Sequence, residues 1–161
     1  MVSFFYAQTL TRTYQIIYLL YFFIFIVNNY KITDMSSAKY SFVIEQGATF
    51  TLEVAWEDQT CVPINITGYS ARMQIRPAVE SEDIYISLSS ELQPDGTGLN
   101  LSGSNGITPL ESGSIGVYIS AYSSSLLDFT QGRYDLEMVS GGGEVTRLLE
   151  GYVQLSKNVT R

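Results

Sequence analysis

Phe50-Thr-Leu-Glu-Val-Ala-Trp56, a polar turn, and Pro63-Ile-Asn-Ile-Thr-Gly68-Tyr69-Ser-Ala-Arg-Met-Gln-Ile-Arg76 decide the fold. In the first run Phe50, Leu52, Val54 and Trp56 point one way, and Thr51, Glu53 and Ala55 the other. In the second, Ala71, Met73 and Ile75 alternate with Arg72, Gln74 and Arg76. Side chains leave a strand on alternate faces, so this period of two marks half-buried β-strands. Glu57 to Thr60 is the turn between the runs, and Thr67-Gly68 breaks the chain before Tyr69. Pro77 ends the second strand because proline has no N–H to give to a ladder.

The same pattern spreads outward in both directions. Upstream, Lys39 to Ile44 alternates with Tyr40, Phe42 and Ile44 on one face, and Glu45-Gln46-Gly47 turns the chain. Downstream, Glu80 to Asp83 is an acidic loop, and Ile84, Ile86 and Leu88 form the inward side of another strand. Residues 89–113 are rich in turns, with Pro94-Asp95-Gly96 the clearest. Leu99 to Leu101 and Ile107 are short strand candidates inside that region. Ser114 to Ala121 alternates strongly, with Ile115, Val117, Ile119 and Ala121 inward. Ser123 to Phe129 reads as a serine-capped helical turn. Arg133 to Val139 and Val145 to Ser156 form a hairpin around Gly141-Gly142-Gly143. Its inward residues are Tyr134, Leu136 and Met138, then Leu149, Gly151, Val153 and Leu155. About eight short strands with regular turns and almost no helix predict an all-β sandwich or small barrel. The reading adopted is an immunoglobulin-like antiparallel β-sandwich without a disulfide.

Composition bounds the chemistry. The chain has 161 residues, 45% of them hydrophobic, which suffices for one domain with a real core. Nine basic residues against sixteen acidic ones leave a net charge of −7, which opposes binding to a phosphate backbone, so no nucleic-acid partner is expected. Arg72 and Arg76 are the only close basic pair. Histidine is absent and Cys61 is the single cysteine. Ser-His-Asp and Cys-His catalysis, His-ligated zinc and an intrachain disulfide are thereby removed. No enzyme, cofactor or metal site is expected.

Residues 1–34 differ from the rest. Tyr14 to Val27 is almost wholly apolar and aromatic, with Arg12 before it and Lys31 after. It is shorter than the roughly 20 residues that span a bilayer. It has the length of a signal-peptide core, without an obvious small-residue cleavage site. It also reads as a buried or partner-binding arm, or as translated upstream sequence. Met35 stands directly before the globular pattern, which favours an upstream start called too early. The expected organisation is a hydrophobic extension over residues 1–34 and a β-sandwich over residues 35–161, with membrane contact only if the extension is genuine and retained.

The acidic groups Glu53/Glu57/Asp58 and Glu80/Glu82/Asp83 lack the spacing of a glycosidase pair or a calcium loop, and read as solvated loops. Gly96, Gly98, Gly103 and Gly106 are turns, since no helix and no Lys-Ser/Thr follow to make a phosphate cradle. Asn-x-Ser/Thr sequons at Asn65, Asn100 and Asn158 would be glycan acceptors in a secreted eukaryotic protein, but chance occurrence in a Ser/Thr-rich chain is the preferred reading. Tyr69, Tyr85, Tyr118, Tyr122 and Tyr152 are candidate interface residues, because tyrosine buries area at low entropic cost. Ordinary cross-strand packing is the competing explanation. Trp56, Gly68, Tyr134 and Gly151 are taken as structural.

Phe42-Val-Ile-Glu-Gln-Gly-Ala-Thr-Phe50, Trp56, the Pro63-to-Arg76 run, Gly132-Arg-Tyr-Asp-Leu-Glu137 and Val145-Thr-Arg-Leu-Leu-Glu-Gly151 together resemble a small tailed-bacteriophage virion protein. They resemble in particular the immunoglobulin-like amino-terminal module of phage baseplate upper proteins, over residues 39–156. The resemblance implies a non-enzymatic virion component of tail or baseplate, or a capsid decoration. It would dock with other virion proteins and form a symmetric homo-oligomer. Baseplate upper proteins continue into a long fibre region and this chain stops after the sandwich, so an adaptor or accessory role is expected rather than receptor binding. The alternative is a secreted or membrane-anchored adhesion or carbohydrate-binding sandwich, with Tyr118 or Tyr152 on the glycan.

Overall fold

The two runs about Trp56 become strands on opposite sheets. The computed structural model describes residues 37–159. Nine strands lie within them: β1 (Ala38–Lys39), β2 (Phe42–Glu45), β3 (Phe50–Ala55), β4 (Ser70–Arg76), β5 (Ile86–Ser89), β6 (Gly98–Asn100), β7 (Ser114–Ile119), β8 (Gln131–Val139) and β9 (Val145–Ser156). One sheet runs β1-β9-β8-β4-β5, with β2 also on β9, and the other runs β3-β7-β6. They pack as an all-β sandwich. The hydrophobic segment and its Met35 boundary lie outside the described residues.

The core is what the alternation implies. Ala71, Met73 and Ile75 of β4, Tyr134, Leu136 and Met138 of β8, and Val153 and Leu155 of β9 are buried. They meet Ile115, Val117 and Ile119 of β7, Leu99 of β6, and the half-buried Phe50, Leu52 and Val54 of β3. Burying each large aliphatic side chain contributes about 1.5–3 kcal/mol before entropy is counted.

The antiparallel sandwich carries one parallel edge. Both β1 and β2 run parallel to β9, with Ala38 opposite Leu149 and Phe42 opposite Val153. More than a hundred residues separate these partners in sequence, so no hairpin forces them antiparallel. The expected continuous strand from Lys39 to Ile44 is also broken, at Tyr40 and Ser41. There the Tyr40 carbonyl leaves the ladder and accepts the Tyr134 hydroxyl at 2.8 Å. It occupies the space in which a side chain at position 151 would stand, only 1.8 Å from where a Cβ would be. Gly151 is therefore required by close backbone approach.

Gly68 sits in the turn that brings Tyr69 to Trp56. Tyr69 N–H donates to the Ile66 carbonyl at 3.0 Å, and Gly68 takes φ +78° at the third position of that turn. This is type II geometry, which requires a positive φ there. The turn sets Tyr69 edge-on to Trp56, with ring centroids 5.6 Å apart.

Five further expectations change. Ile84 and Ala121 are exposed, and Ile107 is 84% exposed and outside any strand. The helix, α1 (Ala121–Ser125), starts earlier than the serine run suggests, because Ser120 caps it by accepting from Ser123 N–H. Asp95 locks this cap by accepting from the hydroxyls of Ser120 and Ser123. Leu148 is buried beside Leu149, because a bulge opposite Leu136/Glu137 leaves Leu148 as an extra residue.

Candidate functional site

Strand register sorts the outward side chains of the large sheet into rows. Arg76 of β4 is opposite Arg133 of β8, which is opposite Tyr152 of β9. The next row is Gln74, Asp135, Glu150 and Lys39. The third is Arg72, Glu137 and Arg147. These rows, Tyr152 apart, line a shallow concavity of about 580 Å³. Five of the six basic residues among the described residues lie here, with three of the fifteen acidic ones. The rest of the described surface is strongly acidic.

The second and third rows satisfy their own charges. Arg72 pairs with Glu137 at 2.7 Å. Arg147 reaches Asp135 at 3.2 Å, Glu137 at 3.4 Å and Glu150 at 3.6 Å. Burial pushes the Asp135 carboxyl above its usual range; Arg147 opposes that shift and Glu137 reinforces it.

The first row is different. Arg76 and Arg133 stand directly across from each other, a like-charge pairing that disfavours the sheet. Neither makes an ion pair among the described residues. Arg76 instead donates to Gln74 Oε1 and, at 2.6 Å, to the Ser81 carbonyl. Arg133 lies over the Tyr152 ring, 4.0 Å from its centroid. Two guanidiniums thus face outward with donors still unpaired, a fork suited to carboxylates.

The five candidate tyrosines do not gather on one surface. Tyr69 and Tyr85 are half-buried against the core, Tyr69 on Trp56 and Tyr85 stacked on Phe129 at 4.5 Å. Tyr118 is half-buried on the outer side of β7 beside Gly96. Tyr122, 70% exposed, is on α1. Tyr152 alone joins the arginine face. That face was not visible from spacing, because Arg72 and Arg76 meet Arg133 only through the β4–β8 pairing. Its one sequence signal is the outward phase of three long strands, which carries four of the six described cations.

Of the two acidic groups, Glu53 and Asp58 act as local ties. Glu53 accepts from the Ser104 and Ser114 hydroxyls, which hold its carboxyl below the usual range, Ser104 foremost. Asp58 is likewise lowered, chiefly by the Thr60 hydroxyl, then by the Val62 and Thr60 amides. Among the described residues no three Asp, Glu or Cys side chains come together as a metal-binding group. No helix among them is long and apolar enough to cross a membrane. No protein-family model matches the chain, and no curated protein matches it in sequence.

Proposed function

We propose that this chain is a non-enzymatic structural protein of a phage virion, an adaptor or accessory component of tail, baseplate or capsid surface that works by protein docking. The observation that carries the docking reading is the segregation of charge: five of six described cations share one sheet face of an otherwise acidic domain. Such a face steers a partner and fixes its register more than it adds raw affinity. The order β3-β7-β6 against β5-β4-β8-β9 corresponds to the B-E-D and C′-C-F-G sheets of a variable-type immunoglobulin sandwich, which supports the immunoglobulin-like reading. The virion assignment rests on the motif resemblance between residues 39 and 156. The docking partners are other virion proteins and further copies of this chain.

The test is quantitative mass spectrometry of particles purified from cells expressing the gene, with the wild-type chain and with Arg133→Glu. The expected result is a fixed copy number of the wild-type chain per particle and loss of the variant. Particles that lack the wild-type chain would refute the virion role; equal incorporation of the variant would refute docking through this face.

A further inference from the structure

The unpaired arginine row adjoins an unpaired acidic loop. Immediately after Arg76 the chain turns through Glu80-Ser81-Glu82-Asp83 before β5. All three carboxylate residues are exposed, and none makes an ion pair among the described residues. The loop's shape is held from within. Arg76 donates to the Ser81 carbonyl, Ser81 N–H to the Ala78 carbonyl, and Asp83 N–H to the Ser81 hydroxyl. So one end of one face carries two outward guanidiniums without carboxylates, beside three carboxylates without cations. They are neighbours, yet do not pair within the chain.

From this we infer that the arginine face docks the Glu80–Asp83 loop of a second copy of this chain, in a two-fold dimer. The inference rests on the docking reading above and names the partner. An isologous interface requires a self-complementary patch, in which each surface receives its counterpart from the other copy. A two-fold axis between Arg133 and the loop meets that requirement, laying each copy's loop carboxylates over the other's Arg76–Arg133 row. The like-charge strain of that row is then neutralised at both sites at once. Tyr152, already stacked under Arg133, supplies an apolar floor for the contact. The other two rows are internally paired and contribute little. A contact built on exposed charges is sensitive to salt.

The experiment is a charge swap in the full chain, read by sedimentation velocity at about 50 mM and about 500 mM salt. The face variant is Arg133→Glu; Arg76 is left intact because it holds the loop. The loop variant combines Glu82→Lys and Asp83→Lys. Circular dichroism melts establish that both variants fold. The wild type is expected to dimerise and to weaken as salt rises. Each variant alone is expected to dimerise about tenfold more weakly or worse. Mixed in equal amounts they are expected to regain near wild-type association, since an acidic face then meets a basic loop and a basic face meets an acidic loop. Self-association through residues 1–34 would not follow this swap. Variants that associate like the wild type would overturn the proposal, as would a mixture that does not recover. In the second case loss of Arg133→Glu from particles would leave docking standing with a different partner. Recovery of the mixture with no chain in particles would remove the virion reading and keep the dimer.

Discussion

Replacing Gly151 by alanine tests how the first strand is tied to the last. Gly151 does not occupy the left-handed region, so alanine meets no backbone conflict there. The conflict is space. The added Cβ would stand 1.8 Å from the Tyr40 carbonyl oxygen, 2.8 Å from its carbon and 3.2 Å from Cε1 of Tyr134. Real Cβ contacts stay beyond 3.0 Å, so the Tyr40 backbone has to move away. That backbone is held on two sides, by the Tyr134 hydroxyl on its carbonyl and by its N–H on the Glu150 carbonyl. Overpacking costs about 1–3 kcal/mol and the lost hydrogen bond about 0.5–1.5 kcal/mol, so the expected destabilisation is about 2–4 kcal/mol. Urea unfolding at constant slope reads it as a lower midpoint. Gly142→Ala is the control, since its Cβ would meet nothing nearer than 3.7 Å; it should stay within about 0.5 kcal/mol of wild type. Tyr134→Phe removes only the hydrogen bond. Combined with Gly151→Ala it should cost less than the sum, because both act on one carbonyl. A Gly151→Ala midpoint equal to that of Gly142→Ala, or strict additivity in the cycle, would refute the account.

Asp95 is held below the usual carboxylate range, first by the Ser120 hydroxyl, then by the Thr97 amide and the Ser123 hydroxyl. A lowered folded value means its stabilisation is present above about pH 4 and lost as pH falls through that value. Asp95→Asn should therefore flatten the loss of stability between about pH 5 and pH 2, measured as urea midpoint against pH. Tyr134 is shifted the other way, up to about 12, by burial and then by Tyr40. Its contribution should be complete below about pH 10 and lost as pH rises through about 12, a limb that is missing from the stability profile of Tyr134→Phe. Cys61 holds φ +60° in the Asp58–Val62 turn. Cys61→Gly should gain up to about 1 kcal/mol and Cys61→Val should lose at least that, by urea midpoint; the reverse order would show that the turn is not strained.

Much of the sandwich was legible because one face of each long strand is buried. Where that holds, as from Ser70 to Arg76 or from Arg133 to Val139, alternation names the core correctly. It misleads where burial does not set the phase. Ile84 and Ile107 are apolar but sit in connections. At Leu148-Leu149 the doublet is the sequence trace of the bulge, and a strict period of two keeps only one of the pair. The N-cap at Ser120 was hidden because several serines in a row compete for that role, and only Asp95, from a remote turn, selects among them. The candidate tyrosines were chosen by phase and exposure, yet phase cannot say that Phe129 comes to cover Tyr85 or Trp56 to cover Tyr69.

The order of residues by itself determined the strand content, most of the inward side chains and the Gly68 turn, because these depend on a residue's own face and its near neighbours. Tertiary structure alone decided the partners. It set β1 and β2 parallel to β9, brought the Tyr40 carbonyl over Gly151, and assembled Arg72, Arg76, Arg133, Arg147 and Lys39 into one face from four strands. Period-two patterning states which side of a strand a residue takes, and it carries no information about which strand lies alongside. The cationic face exists only in that second kind of information.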